Sequence, residues 1–201
     1  AIVVACNTAS TQVYENEFEG RPIYKVIDPG SKLAAEATQN NKIAVLATRA
    51  TVAAGSYTKK IHLFKPEAEV FSRACPLFVP LAEEGLIDDP ITNLIAYRYL
   101  NDLKANDVDT VVLGCTHYPL LKSSIAKVFG LSVSLIDSGE AVARQVDVDF
   151  STLKIKPNSP SNPTRLTVAL TDKSLHFENL TSNLLQSVST EEIHFETVSV
   201  I

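Results

Sequence analysis

The sequence predicts an α/β protein, two pseudo-symmetric lobes of mainly parallel sheet flanked by helices, and three observations carry that expectation. Short β-branched runs alternate with stretches of helical periodicity along most of the chain, the order that joins parallel strands through right-handed crossovers. Hydrophobic residues fill 45% and charged residues 20% of the 201 positions, a balance that suits a packed core and argues against disorder. The chain also repeats itself: laying Ala1 to Ala37 over Thr110 to Val146 without a gap sets AIVVACNTAS on TVVLGCTHYP and KVIDPG on SLIDSG, which points to two similar lobes.

Taken in order, Ala1 to Ala5 opens the chain as an apolar strand, and Ile23 to Ile27 is the next β-branched run. Lys32 to Thr38 follows as a helix, then strand Ile43 to Leu46, helix Thr51 to Ile61 and strand Glu69 to Phe71. A helix from Ile91 to Lys104 starts behind Pro90, where a proline fits the first turn. Strand Thr110 to Leu113, helix Leu120 to Phe129, strand Val133 to Ile136 and helix Glu140 to Val146 repeat the alternation. Lys156 to Thr164, with three prolines, two asparagines and two serines, reads as a linker or surface loop. Strand Leu166 to Leu170, helix Leu175 to Val188 and strand His194 to Val200 complete the chain. In sheets of this kind ligands sit beyond the carboxyl ends of the strands, so the cleft between lobes is the expected site.

Charge and composition exclude several classes. The formal net charge is −5 and the basic residues are scattered, so nucleic acid is not an expected partner. No apolar run reaches the roughly 18 to 20 residues of a membrane helix, and the start lacks the pattern of a secretory signal. The expected compartment is the cytoplasm, with no membrane partner. Three cysteines at long spacings make no disulfide framework and read as free thiols. The chain opens inside an apolar run and contains no methionine, so residues ahead of position 1 are expected to be missing.

Two of the thiols stand at matched places. At the repeat's shift of 109, Cys6 falls on Cys115, and each lies 22 residues before an aspartate, Asp28 or Asp137. Each ends an apolar strand and opens a polar turn, and a helix starting at Thr11 or Leu120 would aim its positive end at the sulfur and lower its pKa. Opposed thiols suit one task in particular. Inverting a carbon stereocentre by proton chemistry needs one group to remove a proton from one face and another to deliver a proton to the other. An amino-acid α-proton is so weakly acidic that such a site also needs donors for the developing negative charge and shelter from water. Asn7, Thr8, Thr116 and His117 stand beside the thiols as donors.

At these residues the chain resembles the glutamate racemase family, within the aspartate/glutamate racemase superfamily, through VVACNTAS, ATRATVAAGSY, ACPLFVPLAEEG, VVLGCTHYPLL and IDSGEAVAR. The resemblance implies interconversion of L-glutamate and D-glutamate for bacterial peptidoglycan, with glutamate as the small-molecule partner and with neither pyridoxal phosphate nor metal as cofactor. It implies Cys6 and Cys115 as the catalytic pair, with Asn7, Thr8, Thr116 and His117 binding substrate or tuning a thiol. Glu83, the first glutamate of PLAEEG, would assist the side of His117 and Cys115, and Thr48 and Thr51 would touch the substrate carboxylate. A homodimer is one option for assembly. The family also opens with an Asp-Ser-Gly turn and a later Tyr-Gly pair, neither of which precedes Cys6 here. The chain is accordingly expected to be impaired, with a contiguous lobe over 29–137 and the remnant of another over 1–28 plus 138–201.

Plainer explanations stand beside each assignment. Free cysteine is among the most buried residue types, which is the preferred account of Cys75, outside the repeat. Asp28 and Asp137 precede Pro-Gly and Ser-Gly, where aspartates cap turns and helix starts, and Thr48 and Thr51 could cap a helix equally well. His62, His176 and His194 read as surface or packing residues. Zinc would call for Cys-x-x-Cys or His-x-x-x-His spacing and a redox pair for adjacent cysteines, while a pyridoxal phosphate racemase needs a Schiff-base lysine. None of these patterns is evident. An aspartate racemase, another two-cysteine isomerase, and a folded but inactive binding fragment remain the alternatives.

Overall fold

The computed structural model of the chain describes residues 1–130, 132–152, 166–171, 181, 185 and 193–199. The chain divides into two compact units, Ala1–Leu153 and Lys154–Ile201. Both copies of the repeat lie in the first.

That unit opens with strand β1 (Ile2–Val4), a one-turn helix α1 (Asn7–Ser10), strands β2 (Glu17–Phe18) and β3 (Arg21–Lys25), and helix α2 (Ile27–Ala37). Strand β3 pairs in parallel with β1 and antiparallel with β2. There follow β4 (Lys42–Ala47), α3 (Arg49–Ala54), α4 (Ser56–Phe64), β5 (Glu69–Ala74), α5 (Phe78–Glu83), α6 (Pro90–Ala105), β6 (Thr110–Gly114), a 3-10 turn (Tyr118–Leu121), α7 (Lys122–Phe129), β7 (Ser134–Asp137) and α8 (Ser138–Thr152). These strands form one wholly parallel sheet in the order β5-β4-β6-β7. In the second unit β8 (Leu166–Leu170) pairs in parallel with β9 (Ile193–Thr197).

Burial on both faces explains why β4 and β6 are nearly continuous apolar runs. Ala44 and Leu46 of β4 and Val111 and Leu113 of β6 pack on one face with Phe78, Leu100, Tyr118, Leu121 and Ile125. Ile43, Val45 and Val112 pack on the other with Ile27, Ala34, Tyr57 and Ile61. Gly114 ends β6 where the backbone comes close: a Cβ there would lie 2.9 Å from the Leu46 carbonyl oxygen. At the opposite end of the sheet the Asp109 carboxylate accepts from the Thr38 hydroxyl at 2.6 Å and from the Gln39 and Asn40 N–H groups at 2.7 and 2.8 Å. This knot ties the end of α2 to the start of β6.

The described strands fall where the sequence placed them, apart from the short β2, while several helices differ for local reasons. Helix α2 begins at Ile27 because Asp28 and Pro29 suit a first turn. The helix expected over Thr51 to Ile61 is two, broken at Gly55, whose φ of 64° is left-handed. The segment from Leu120 starts as the 3-10 turn, and α8 runs well beyond Glu140 to Val146 at both ends. Thr11 ends a helix, since Cys6 caps α1 ahead of it. The repeat is preserved as strand, thiol, strand, helix, but its register is not: Val4 pairs with Lys25, whereas Leu113 pairs with Asp137. The expected linker Lys156 to Thr164, helix Leu175 to Val188 and His176 lie outside the described residues.

Candidate active site

Strand β1 of the smaller sheet and the parallel neighbours β4 and β6 of the larger one deliver side chains at their carboxyl ends. Cys6 follows β1 and is exposed; it caps α1, its sulfur accepting the Ala9 N–H at 3.4 Å. Cys115 follows β6 and is 7% exposed. Burial pushes the Cys115 thiol above its ordinary pKa, and the nearby charge of Cys6 adds to the effect. Hydrogen bonds from the His117 and Tyr118 N–H groups and from Thr116 oppose this without reversing it. The sequence predicted a lowered value from a helix start. No α-helix begins at this thiol, since α7 starts only at Lys122, so desolvation decides.

His117 links the thiol to a carboxylate. Its Nδ1 lies 3.9 Å from the Cys115 sulfur and 3.5 Å from the Thr116 hydroxyl, and its Nε2 lies 3.1 Å from Glu83 Oε1 at the end of α5. An imidazole held between a thiol and a carboxylate can take up a proton from the sulfur and return it. Around Cys6, the hydroxyl of Thr8 lies 2.9 Å from that of Thr48 and 3.0 Å from that of Thr51, and those two are 3.0 Å apart. Thr48 caps α3 as well, accepting the Thr51 N–H at 3.2 Å, so capping and hydroxyl clustering coexist. The fold thus gathers Thr8, Thr48 and Thr51 into one group and Cys115, Thr116, His117 and Glu83 into another.

The residues read as structural have structural partners. Cys75 is fully buried, and desolvation pushes its pKa to about 12. Asp137 Oδ1 accepts from the Gly139 and Glu140 N–H groups at the start of α8, and Asp28 pairs with Lys60 at 2.8 Å. His62 bonds the Ala68 carbonyl at 2.9 Å, and His194 is exposed on β9. Among the described residues no group of three or more His, Cys, Asp and Glu side chains is arranged to hold a metal ion. None of the described helices is long and apolar enough to cross a membrane.

The profile of the Asp/Glu/Hydantoin racemase family matches residues 1–146. The chain belongs to this family. A glutamate racemase of Geobacter metallireducens is 48% identical over 147 residues, covering 72% of this chain and 54% of the relative. The glutamate racemase of Persephonella marina is 40% identical over 203 aligned positions, covering all of this chain and 73% of the relative. Among solved structures, the glutamate racemase of Francisella tularensis in complex with D-glutamate superposes with a TM-score of 0.86 at 33% identity, over 99% of this chain and 73% of that one. The chain spans about half the length of the first of these relatives. The α/β architecture expected from the sequence is therefore that of the racemase family.

This racemase-family chain also holds site neighbours that sequence reading missed. Tyr57 donates from its hydroxyl to Asn7 Oδ1 at 2.5 Å, and the Ser138 hydroxyl donates to the same oxygen at 3.2 Å. Ser138 stands in SLIDSG, but the repeat sets it opposite Pro29, so no matched pair marked it. Tyr57 lies within the helix expected over Thr51 to Ile61, and only the tertiary contact shows where its hydroxyl goes.

Proposed function

We propose that Cys6 and Cys115 act as a two-base pair that interconverts L-glutamate and D-glutamate. The observation that carries this reading is that each copy of the repeat presents a thiol beyond the carboxyl end of its first strand. In one direction the Cys6 thiolate takes the proton from Cα on its face and becomes a thiol. Cys115 gives its proton to the opposite face and becomes a thiolate, and the electron pair passes through a carbanion-like transition state spread onto the substrate carboxylate. In the other direction the roles exchange. His117, backed by Glu83, would relay the proton at Cys115, while Asn7, Thr8, Thr48, Thr51 and Thr116 supply donors for the substrate's charged groups.

Glutamate is favoured as substrate because the relatives reported above are named glutamate racemases and one is solved with D-glutamate. The same bacterial relatives support a cytoplasmic role in supplying D-glutamate for peptidoglycan. The test is exchange of the α-hydrogen of L-glutamate in deuterated water, with chiral analysis of the product. The expected result is exchange accompanied by D-glutamate, reduced by about 10²- to 10⁴-fold in Cys6→Ser and in Cys115→Ser, the span of a lost acid-base group. Exchange that survives both substitutions, or activity that follows a stoichiometric bound metal, would overturn the two-thiol reading.

A further inference from the structure

Asn7 is the residue after Cys6, and only 2% of it is exposed. The two ends of its carboxamide are treated differently. The oxygen receives the Tyr57 and Ser138 hydroxyls, whereas the buried Nδ2 has no hydrogen-bond partner among the described residues. A buried donor without a partner is unfavourable and uncommon in folded proteins. Here the surroundings fix which end is left over. Burial raises the Tyr57 pKa far above the ordinary phenol value, so its hydroxyl remains a neutral donor that needs an acceptor, and the carboxamide oxygen supplies it. Ser138 has a second acceptor within reach in the Leu113 carbonyl at 3.3 Å, which ties the network to the strand that carries Cys115. Space for it comes from Gly30 of α2, where a Cβ would lie 3.2 Å from the Ser138 Cβ and 3.5 Å from the Tyr57 hydroxyl.

We propose that Tyr57 and Ser138 are positioning residues of the site: their hydroxyls hold the Asn7 oxygen and so leave its NH₂ as the uncommitted donor, beside Cys6, for a carboxylate-bearing amino-acid substrate. The substrate half of this proposal rests on the racemase reading; the positioning half does not. Neither hydroxyl touches substrate. Their effect passes through the orientation of one amide.

The test uses the whole chain labelled with ¹⁵N, the Asn7 side-chain amide pair being identified by its loss in Asn7→Asp. In the unsubstituted chain the pair is expected to be sharp and resolved and to shift on titration with D-glutamate. Tyr57→Phe is expected to broaden or merge it and to weaken D-glutamate binding roughly tenfold, the effect of losing one hydrogen bond to a charged group. Tyr14→Phe, at an exposed tyrosine, should leave it unchanged. Should Tyr57→Phe fail to fold, Ser138→Ala against Ser138→Thr makes the same comparison, the threonine restoring the pair by restoring the hydroxyl. An Asn7 pair indifferent to these substitutions overturns the positioning role. A pair that responds to them but not to D-glutamate overturns the donor assignment. In that case calorimetric binding or α-hydrogen exchange of glutamate by the unsubstituted chain leaves the racemase reading standing, and the absence of both removes it as well.

Discussion

Replacing Gly114 with alanine adds one methyl group at the end of the central strand, immediately before Cys115. The added Cβ would meet the Leu46 carbonyl oxygen at 2.9 Å, the Ala47 Cβ at 3.2 Å and the Tyr57 ring at 3.2 Å. The first of these is backbone in the neighbouring strand β4, so relief requires β4 and β6 to separate rather than a side chain to rotate. Overpacking of this kind costs about 1 to 3 kcal/mol. Against it, alanine restricts the unfolded chain more than glycine and returns roughly 0.4 to 1 kcal/mol. The net expectation is a loss of about 1 to 2 kcal/mol, or roughly 2 to 8 °C in Tm for a chain of this size. Urea denaturation followed by circular dichroism measures the first quantity and a thermal melt the second. The displaced strand end should also admit reagent, so Cys115 should alkylate faster with iodoacetamide while Cys6 does not change. The first repeat has Ala5 at the matching position, which makes Ala5→Gly the companion variant, free of any clash. A Gly114→Ala protein with the urea midpoint and Cys115 alkylation rate of the original would refute the close-approach argument.

Two further predictions concern pH. Cys75 has its pKa raised to about 12 by burial, so the folded chain holds this proton more tightly than the unfolded chain; its share of stability is present below about pH 9 and disappears as pH rises toward 12. Cys75→Ala should therefore flatten the fall in urea midpoint between pH 9 and 10, and an unchanged slope would count against it. Asp109 behaves oppositely: burial alone would raise its pKa, but hydrogen bonds from Thr38, Asn40 and Gln39 outweigh burial and lower it. Its contribution is present above the ordinary carboxylate range and lost as pH falls below about 4. Asp109→Asn is expected to cost about 1 to 2 kcal/mol at pH 7, and the difference from the original chain should shrink as pH falls below the ordinary carboxylate range, as read from thermal melts.

Much of the fold was legible because β-branched runs and the Cys6 and Cys115 repeat are local patterns. What escaped depended on shorter or longer ranges than periodicity samples. Helices α1 and α5 are too brief to show a face of their own; α1 exists because the Cys6 sulfur caps it. The break at Gly55 was invisible because a glycine inside a helical pattern is often tolerated. The repeat correctly matched Cys6 with Cys115 but misled about register, since nothing in the sequence shows that Val4 pairs with Lys25 rather than with the residue matching Asp137. At the site, Thr8 and Thr116 came from their place beside the thiols, and Thr48 and Thr51 from family resemblance. Their mutual contacts, and the grip of Tyr57 on Asn7, join residues about 40 to 50 positions apart and become visible only when β4, α4 and α1 are packed.

The Asp109 knot closes the floor of the larger sheet, whereas Cys115 stands at its rim and Cys6 at the carboxyl end of β1 in the smaller sheet. A rim that has to hold a thiol and a cluster of threonine hydroxyls is a poor place from which to derive rigidity. The floor can be fastened by a carboxylate that stays charged throughout the neutral range. A substitution that tightens the floor should therefore raise the melting point while leaving the rim as it was.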